Sequence, residues 1–167
     1  MPQVSQRAVQ MPASPIRKLV PYAEQASARG VEIYHLNIGQ PDVESPEAFW
    51  RAIDQARPKV VEYTHSAGNA SLRKKMRSYY ASIGIELGES ELLVTTAGSE
   101  AVNFALLACL NAGDEVIVPE PFYANYLGFA IQAGVVVKPI TTHIEEDFAL
   151  PNAEEFAAQI TPRTRAI

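Results

Sequence analysis

Apolar and polar residues follow two periodicities along this chain, and together they predict strands separated by helices. Short apolar or β-branched runs predict buried strands at Leu92–Thr96, Glu115–Pro119 and Val135–Ile140, with a further strand starting over Thr164–Ile167. An alternating run predicts another strand at Val31–Ile38. This order predicts an α/β fold with a mostly parallel sheet flanked by helices.

Amphipathic segments lie before and between these runs. They predict helices that begin at Ser14-Pro15, Ser45-Pro46, Asn69, Tyr123 and Asn152, the last with a capping-box partner at Glu155. Pro21 is expected to bend the first helix and Gly30 to end it. Phe49 is expected on the buried side of the second helix, whereas the basic residues from Arg73 to Arg77 are expected to form a solvated face.

A strand–turn–helix pattern stands at the centre of the chain. Ala97, Gly98 and Ser99 are small residues that let the backbone turn, and Ser99 is a suitable N-cap. The helix that continues from Ala101 has almost no polar face, so it is expected to be deeply packed, with Cys109 as a buried, inert thiol. The first N–H groups of such a helix favour an anion, most often a phosphate.

Composition and charge exclude several kinds of partner. The 167 residues are 47% apolar and 20% charged with a net charge of −5, and no basic block suggests nucleic acid or an anionic membrane. No apolar run approaches transmembrane length, and the start of the chain has no signal-peptide h-region. The single cysteine excludes an intrachain disulfide, and the histidines show no metal-ligand spacing, so a cytoplasmic protein without a metal site is expected.

An ordered set of motifs surrounds the central turn. Upstream lie Tyr63-x4-Gly68 and Leu72-Arg73, and downstream lie Gly113-Asp114-Glu115-Val116-Ile117-Val118-Pro119 and Pro121-Phe122-Tyr123-x2-Tyr126. From about Ser14 onward, the set resembles the N-terminal part of the class I aminotransferases, pyridoxal 5′-phosphate (PLP) enzymes of fold type I. The resemblance implies part of the large PLP-binding domain over residues 46–167. It also implies an N-terminal helical arm over residues 1–45 that belongs with the small domain or a dimer interface.

The resemblance also implies where a cofactor would bind. The backbone of Ala97, Gly98 and Ser99, with the Ser99 hydroxyl, would hold the phosphate, and Tyr123 would stack on the pyridine ring. Relatives often have glycine at position 97 and a basic or polar residue at 99 or 100, and the carboxylate of Glu100 competes with a phosphate for the helix dipole. Without the resemblance, Tyr123 and its aromatic neighbours could simply be core residues.

Two further positions match the family pattern outside this segment. Tyr63 resembles the tyrosine that reaches across a homodimer interface to the partner's phosphate, although it could instead be a packed strand aromatic. Gly39 lies where these enzymes bring a glycine backbone against the substrate α-carboxylate, whereas without the resemblance it would be read as a turn glycine.

No catalytic residue is expected within the chain. Its lysines are Lys18, Lys59, Lys74, Lys75 and Lys138, and none stands in the family's setting for the Schiff-base lysine, which comes later in relatives. The resemblance therefore implies an N-terminal portion, inactive by itself, of an enzyme that transfers an amino group between an L-amino acid and a 2-oxo acid. Another fold-type-I PLP enzyme (a lyase, decarboxylase or synthase), an inactive truncated relic and a small α/β phosphate-binding module remain as alternatives.

Overall fold

The computed structural model describes residues 2–167. Its α-helices are α1 (Gln6–Gln10), α2 (Val20–Ala28), α3 (Glu47–Gln55), α4 (Ala70–Ser82), α5 (Gly98–Cys109), α6 (Asn125–Ala133) and α7 (Ala153–Gln159). Its strands are β1 (Glu115–Glu120), β2 (Val136–Thr141) and β3 (Thr164–Ala166), and short 3-10 turns lie at Arg17–Leu19, Glu89–Glu91 and Ile144–Glu146.

The described part of the chain divides into two compact units. The first, which we call the sheet unit, combines the residues up to Asn37 with Gly98–Ile167. The second, which we call the 38–97 unit, is the continuous segment Ile38–Ala97. All three strands belong to the sheet unit, which is therefore the α/β part of the molecule.

The sheet is parallel, as predicted, in the order β2-β1-β3. Glu115 pairs with Val136 at the start of β1 and Glu120 with Thr141 at its end, whereas the register between β1 and β3 is irregular next to Glu115. Parallel strands need crossover segments, and here α6 and α7 supply them. The core is a cluster formed by Leu110, Val116, Ala130 and Val135.

Two segments predicted as strands are not strands. Val31–Ile38 contains a turn, and Leu92–Thr96 has no strand assignment although Leu92 has extended backbone angles. The N–H of Val94 donates to the carbonyl oxygen of Ala67 at 3.1 Å, which is a single bond and not a ladder. A strand is defined by its hydrogen-bonded neighbour, so β-branched composition alone could not establish these two.

The expectation that α5 is deeply packed is also wrong. None of its residues is fully buried, Phe104 and Leu107 are 46% and 61% exposed, and the Cys109 thiol is exposed. Phe49 in α3, predicted to be buried, is 53% exposed. Within the sheet unit, α5 packs against α6 and, through Leu106, against the core cluster, and these contacts leave Phe104 and Leu107 exposed.

The local signals for helix ends were more reliable. Asn69 caps α4 by accepting from the N–H of Leu72, and Asn152 and Glu155 form the predicted capping box at α7. Gly30 ends the N-terminal helix with a φ of 80°. Pro21 does not bend that helix: a 3-10 turn precedes it, and the proline occupies the first turn of α2, where its missing N–H costs nothing.

The basic face predicted on α4 is not simply solvated. The Arg73 side chain is only 12% exposed, and its Nη1 donates to the carbonyl oxygen of Glu89 at 2.9 Å. Arg77 donates through Nε to the carbonyl oxygen of Leu87 at 2.8 Å. These two guanidinium groups attach α4 to the segment that leads into residues 92–97, a role that helical spacing alone did not reveal.

Candidate functional site

The N-terminus of α5 is the first element of the candidate site. The helix begins at Gly98, so Ser99 lies inside its first turn and is not the N-cap that the sequence suggested. Directly before the helix, the Thr95 hydroxyl donates to the carbonyl oxygen of Ala97 at 3.0 Å and fixes the turn. The first N–H groups of a helix have no acceptor within it, so the backbone of Gly98 and Ser99 offers donors to an anion.

Gly98 contributes space and not backbone freedom. Its φ is outside the left-handed region, so other residues could adopt its conformation, and the expectation that the turn depends on glycine flexibility is wrong. A Cβ atom built on Gly98 would meet no atom within 4 Å. Among the described residues of the sheet unit, the position next to Gly98 is therefore open.

Tyr123 lies three residues beyond the end of β1, at the carboxyl edge of the parallel sheet. Its side chain is 48% exposed, so it is not a core aromatic. The phenol oxygen accepts a hydrogen bond of 2.6 Å from the Asn125 side-chain amide. The Tyr126 ring meets the Tyr123 ring edge to face, with centroids 5.6 Å apart at 86°, and itself stacks on Phe122 at 6.4 Å.

A groove within the sheet unit lies between α5, the sheet and α6, but none of Gly98, Ser99 and Tyr123 lines it. It encloses about 240 Å³ and is lined by Val102, Leu106, Val116, Ile117, Val118, Pro119, Tyr126, Ala130, Val137 and Ile167. Val102 lies one helical turn after Ser99, and Tyr126 lies three residues after Tyr123. Residues close in sequence to the start of α5 and to Tyr123 therefore line one groove of the sheet unit, and ligands of open α/β sheets usually bind at the carboxyl edge.

Tyr63 and Gly39 both lie in the 38–97 unit. Tyr63 has a fully exposed side chain in a segment that is neither helix nor strand, so it is not a packed strand aromatic. Gly39 is exposed, and a Cβ atom added to it would meet nothing within 4 Å. No contact within the 38–97 unit explains why a tyrosine stands at position 63 or a glycine at position 39.

Gly68 has a structural role that the motif alone did not define. Its φ is 95°, and an added Cβ atom would lie 2.5 Å from Cβ of Val94. Only glycine combines this backbone conformation with such a close approach. Together with the bond between Val94 and Ala67, Gly68 fixes the segment that leads toward Ala97 within the 38–97 unit.

Glu115 is the centre of an ion-pair cluster that the sequence did not reveal. Only 3% exposed, it accepts from the Thr161 hydroxyl at 2.6 Å and from Arg163 Nη2 at 2.7 Å, and Lys138 Nζ lies 3.8 Å away. The Thr161 hydrogen bond, followed by Arg163 and then Lys138, lowers the pKa of this carboxyl group against the opposing effect of burial. The one available signal was an acidic residue at the start of an apolar strand.

Residues 2–167 show neither a metal-binding cluster nor a membrane-spanning helix. They contain no group of three or more His, Cys, Asp or Glu side chains arranged to hold a metal ion. Nor do they include a helix with the length and apolar character needed to cross a membrane. Among the lysines, Lys138 is engaged structurally, because it also donates to the carbonyl oxygen of Gln159 at 2.7 Å.

Comparisons with known proteins identify the family of the chain. The chain is 36% identical over 141 residues to the arginine–pyruvate transaminase of Pseudomonas aeruginosa, an alignment that covers 83% of this chain and 36% of that protein. It is 33% identical over 169 residues to a probable aspartate/prephenate aminotransferase of Thermus aquaticus, covering 98% of this chain and 43% of that one. The chain thus spans about two fifths of the length of these curated relatives.

Solved structures show the same likeness. An aspartate aminotransferase of Thermotoga maritima matches with a TM-score of 0.86 at 28% identity, over 96% of this chain and 43% of that one. A mutant aspartate aminotransferase of Thermus thermophilus matches with a TM-score of 0.85 at 32% identity, over 98% and 43%. The sheet and its helices are thus part of a fold-type-I large domain. Because residues 31–166 also match the model for aminotransferase class I and II, the chain belongs to that family.

Proposed function

We propose that this chain is the N-terminal portion of a PLP-dependent aminotransferase that moves an amino group between an L-amino acid and a 2-oxo acid. The observation that carries the proposal is the match of residues 31–166 to the model for aminotransferase class I and II; the helix that begins at Gly98, and Tyr123 beyond the end of β1, would supply positions for the cofactor. The chain spans 36–43% of its relatives, so the activity belongs to a longer polypeptide that contains it. We call that polypeptide the full-length protein.

The residues at the start of α5 fit a phosphate group. Backbone N–H groups of Gly98 and Ser99 and the Ser99 hydroxyl form a set of neutral donors at the positive end of a 12-residue helix. The open space at Gly98 leaves room for the phosphate oxygens to approach the backbone. The acidic residue in the first turn, Glu100, opposes an anion, but a single carboxylate does not remove the backbone donors.

Tyr123 fits the ring of the same cofactor. A half-exposed aromatic side chain at the carboxyl edge of the sheet offers a flat apolar ring, and its neighbours contact the ring and the hydroxyl. When bound, PLP supplies an electron-accepting ring that makes the Cα bonds of an attached amino acid easier to break. The contribution of Ala97, Gly98, Ser99 and Tyr123 is to bind and orient it.

The remaining site residues extend the proposal to the full-length protein. Tyr63, fully exposed here, would reach the cofactor phosphate bound to a second subunit in a homodimer. The backbone of Gly39 would lie against the α-carboxylate of the substrate. Residues 1–45 would belong with the small domain or the dimer interface, and residues 46–167 with the large domain. The Schiff-base lysine would be supplied from outside this chain, and a cytoplasmic location would suit such an enzyme.

The test is made on the full-length protein. We expect purified protein to show the visible absorbance of bound PLP and to transfer the amino group of an L-amino acid to a 2-oxo acid, with arginine and aspartate as first donors. Tyr123→Leu should weaken cofactor binding, whereas Tyr79→Leu, which alters another exposed tyrosine on α4, should not. Absence of bound cofactor would overturn the proposal. Release of carbon dioxide or free ammonia without amino transfer would instead favour a decarboxylase or lyase.

A further inference from the structure

Asn125 holds the hydroxyl end of Tyr123. Its side-chain Nδ2 donates to the phenol oxygen at 2.6 Å, and the residues are only two positions apart. The Tyr126 N–H donates to the Tyr123 carbonyl oxygen at 2.9 Å, which closes a turn around the pair. Hydrogen bonds therefore fix Tyr123 at two points, its backbone carbonyl and its phenol oxygen.

The environment of Asn125 keeps its amide in place. The residue opens α6 and is half-buried, and it lines a groove of about 240 Å³ together with the N-terminal segment from Met11 to Pro15. Met11 packs closely over the same helix, since a Cβ atom on Gly128 would come within 3.3 Å of its sulfur. The amide therefore comes from a regular helix packed against another segment and not from a freely moving loop.

This arrangement restricts how the Tyr123 ring can turn. An unsupported, half-exposed tyrosine samples several rotamers and loses that freedom when a ligand stacks on it. Here the Tyr126 ring contacts the Tyr123 ring, and the Asn125 amide contacts its hydroxyl, so two different parts of the side chain are constrained. A ring that is already oriented binds a planar ligand at lower entropic cost.

We propose that Asn125 is a positioning residue for the cofactor: it orients the Tyr123 ring for stacking through the bond to the phenol oxygen. The inference rests on the proposed function, because it assumes that Tyr123 stacks on PLP. Asn125 itself is not assigned a contact with cofactor or substrate. Since the phenol oxygen accepts the amide hydrogen, the phenolic hydrogen stays available as a donor.

A double-mutant cycle on the full-length protein tests this role. The variants are Asn125→Ala, Tyr123→Phe and the combination, with Gln132→Ala as a control that removes an exposed amide two turns later on α6. Cofactor affinity is measured by titrating apoprotein with PLP, and the absorbance and circular dichroism of the bound cofactor report on ring orientation. Asn125→Ala should weaken binding about two- to tenfold, the effect of one neutral hydrogen bond, and alter the dichroism, whereas Gln132→Ala should change neither.

The double variant shows whether Asn125 affects cofactor binding through the phenol oxygen of Tyr123. If Asn125 acts through the phenol, adding Asn125→Ala to Tyr123→Phe should cost nothing further. An equal loss in both backgrounds, or unchanged affinity and dichroism for Asn125→Ala, would overturn the inference. Tyr123→Leu separates this failure from that of the proposed function. If Tyr123→Leu weakens PLP binding while Asn125→Ala does not, only the positioning role is lost; if Tyr123→Leu also has no effect, stacking itself is wrong.

Discussion

Arg163 Nη2 lies 2.7 Å from Oε1 of Glu115, although the two residues are 48 positions apart in the chain. The carboxylate is at the buried start of β1, and Arg163 directly precedes β3, so the bond joins neighbouring strands at the amino edge of the sheet. Lys138 of β2 approaches the same carboxylate. One acidic side chain therefore links all three strands at the edge opposite the candidate site.

This cluster makes stability depend on pH. The pKa of Glu115 is lowered in the folded protein, so the carboxylate stabilises the fold at pH values above its ordinary pKa, and that contribution is lost as pH falls through the folded pKa. We expect the full-length protein to melt at a higher temperature than Glu115→Gln at pH 7, with the difference narrowing as the solution is acidified below about pH 4.5. Thermal melts of both proteins across this range measure it. A difference that is constant with pH would show that the charge is not responsible.

Gly98→Val tests the phosphate site without disturbing the chain. Because an added Cβ atom meets nothing within 4 Å and the φ is accessible to any residue, the variant should fold as well as the wild type. The branched side chain would occupy the space that the phosphate oxygens need, so we expect PLP affinity to fall about tenfold or more, or about 1.4 kcal/mol. Titration of apoprotein with PLP and with unphosphorylated pyridoxal gives the comparison. An equal loss for both ligands would contradict a phosphate-specific effect.

Unlike Gly98→Val, the Gly68→Ala variant should lose folding stability. The substitution forces a side chain into a φ of 95° and places Cβ 2.5 Å from Cβ of Val94. We expect a loss of about 2 kcal/mol or more, together with faster amide exchange over residues 92–97. Gly39→Ala is the matched control for stability, because that glycine has open space and no positive φ. Equal melting temperatures for the two variants would show that Val94 moves away at little cost.

The isolated 167-residue chain should be loosely folded. Large apolar side chains are exposed in both units, including Leu36 at 95%, Val61 at 91% and Leu107 at 61%. The packed cluster around Leu110 and Val116 is small beside them. We expect strong binding of a hydrophobic dye, self-association and a melt without a sharp transition, measured by fluorescence, light scattering and calorimetry. A monodisperse monomer with a cooperative melt would show that these residues form a self-sufficient domain.

Several features could be predicted from local sequence because their causes are local. The Asn69 cap of α4, the capping box of Asn152 and Glu155, and the glycine end at Gly30 each depend on residues within a few positions. The apolar runs at β1 and β2 were located to within one residue for the same reason. The order of the motifs was also sufficient for the family, because spacing along a chain is a property of sequence.

Tertiary structure alone decided which extended segments became strands and which apolar faces became core. Leu92–Thr96 is as β-branched as β1, but no neighbouring strand pairs with it in the described residues, whereas β1 is paired on both sides. The apolar α5 remains partly exposed because burial depends on what packs against a helix and not on its composition. Arg163 contacts Glu115, 48 positions away, because the path of the backbone in space brings them together. Periodicity predicts which residues can be buried, but only the arrangement of distant segments supplies their partners.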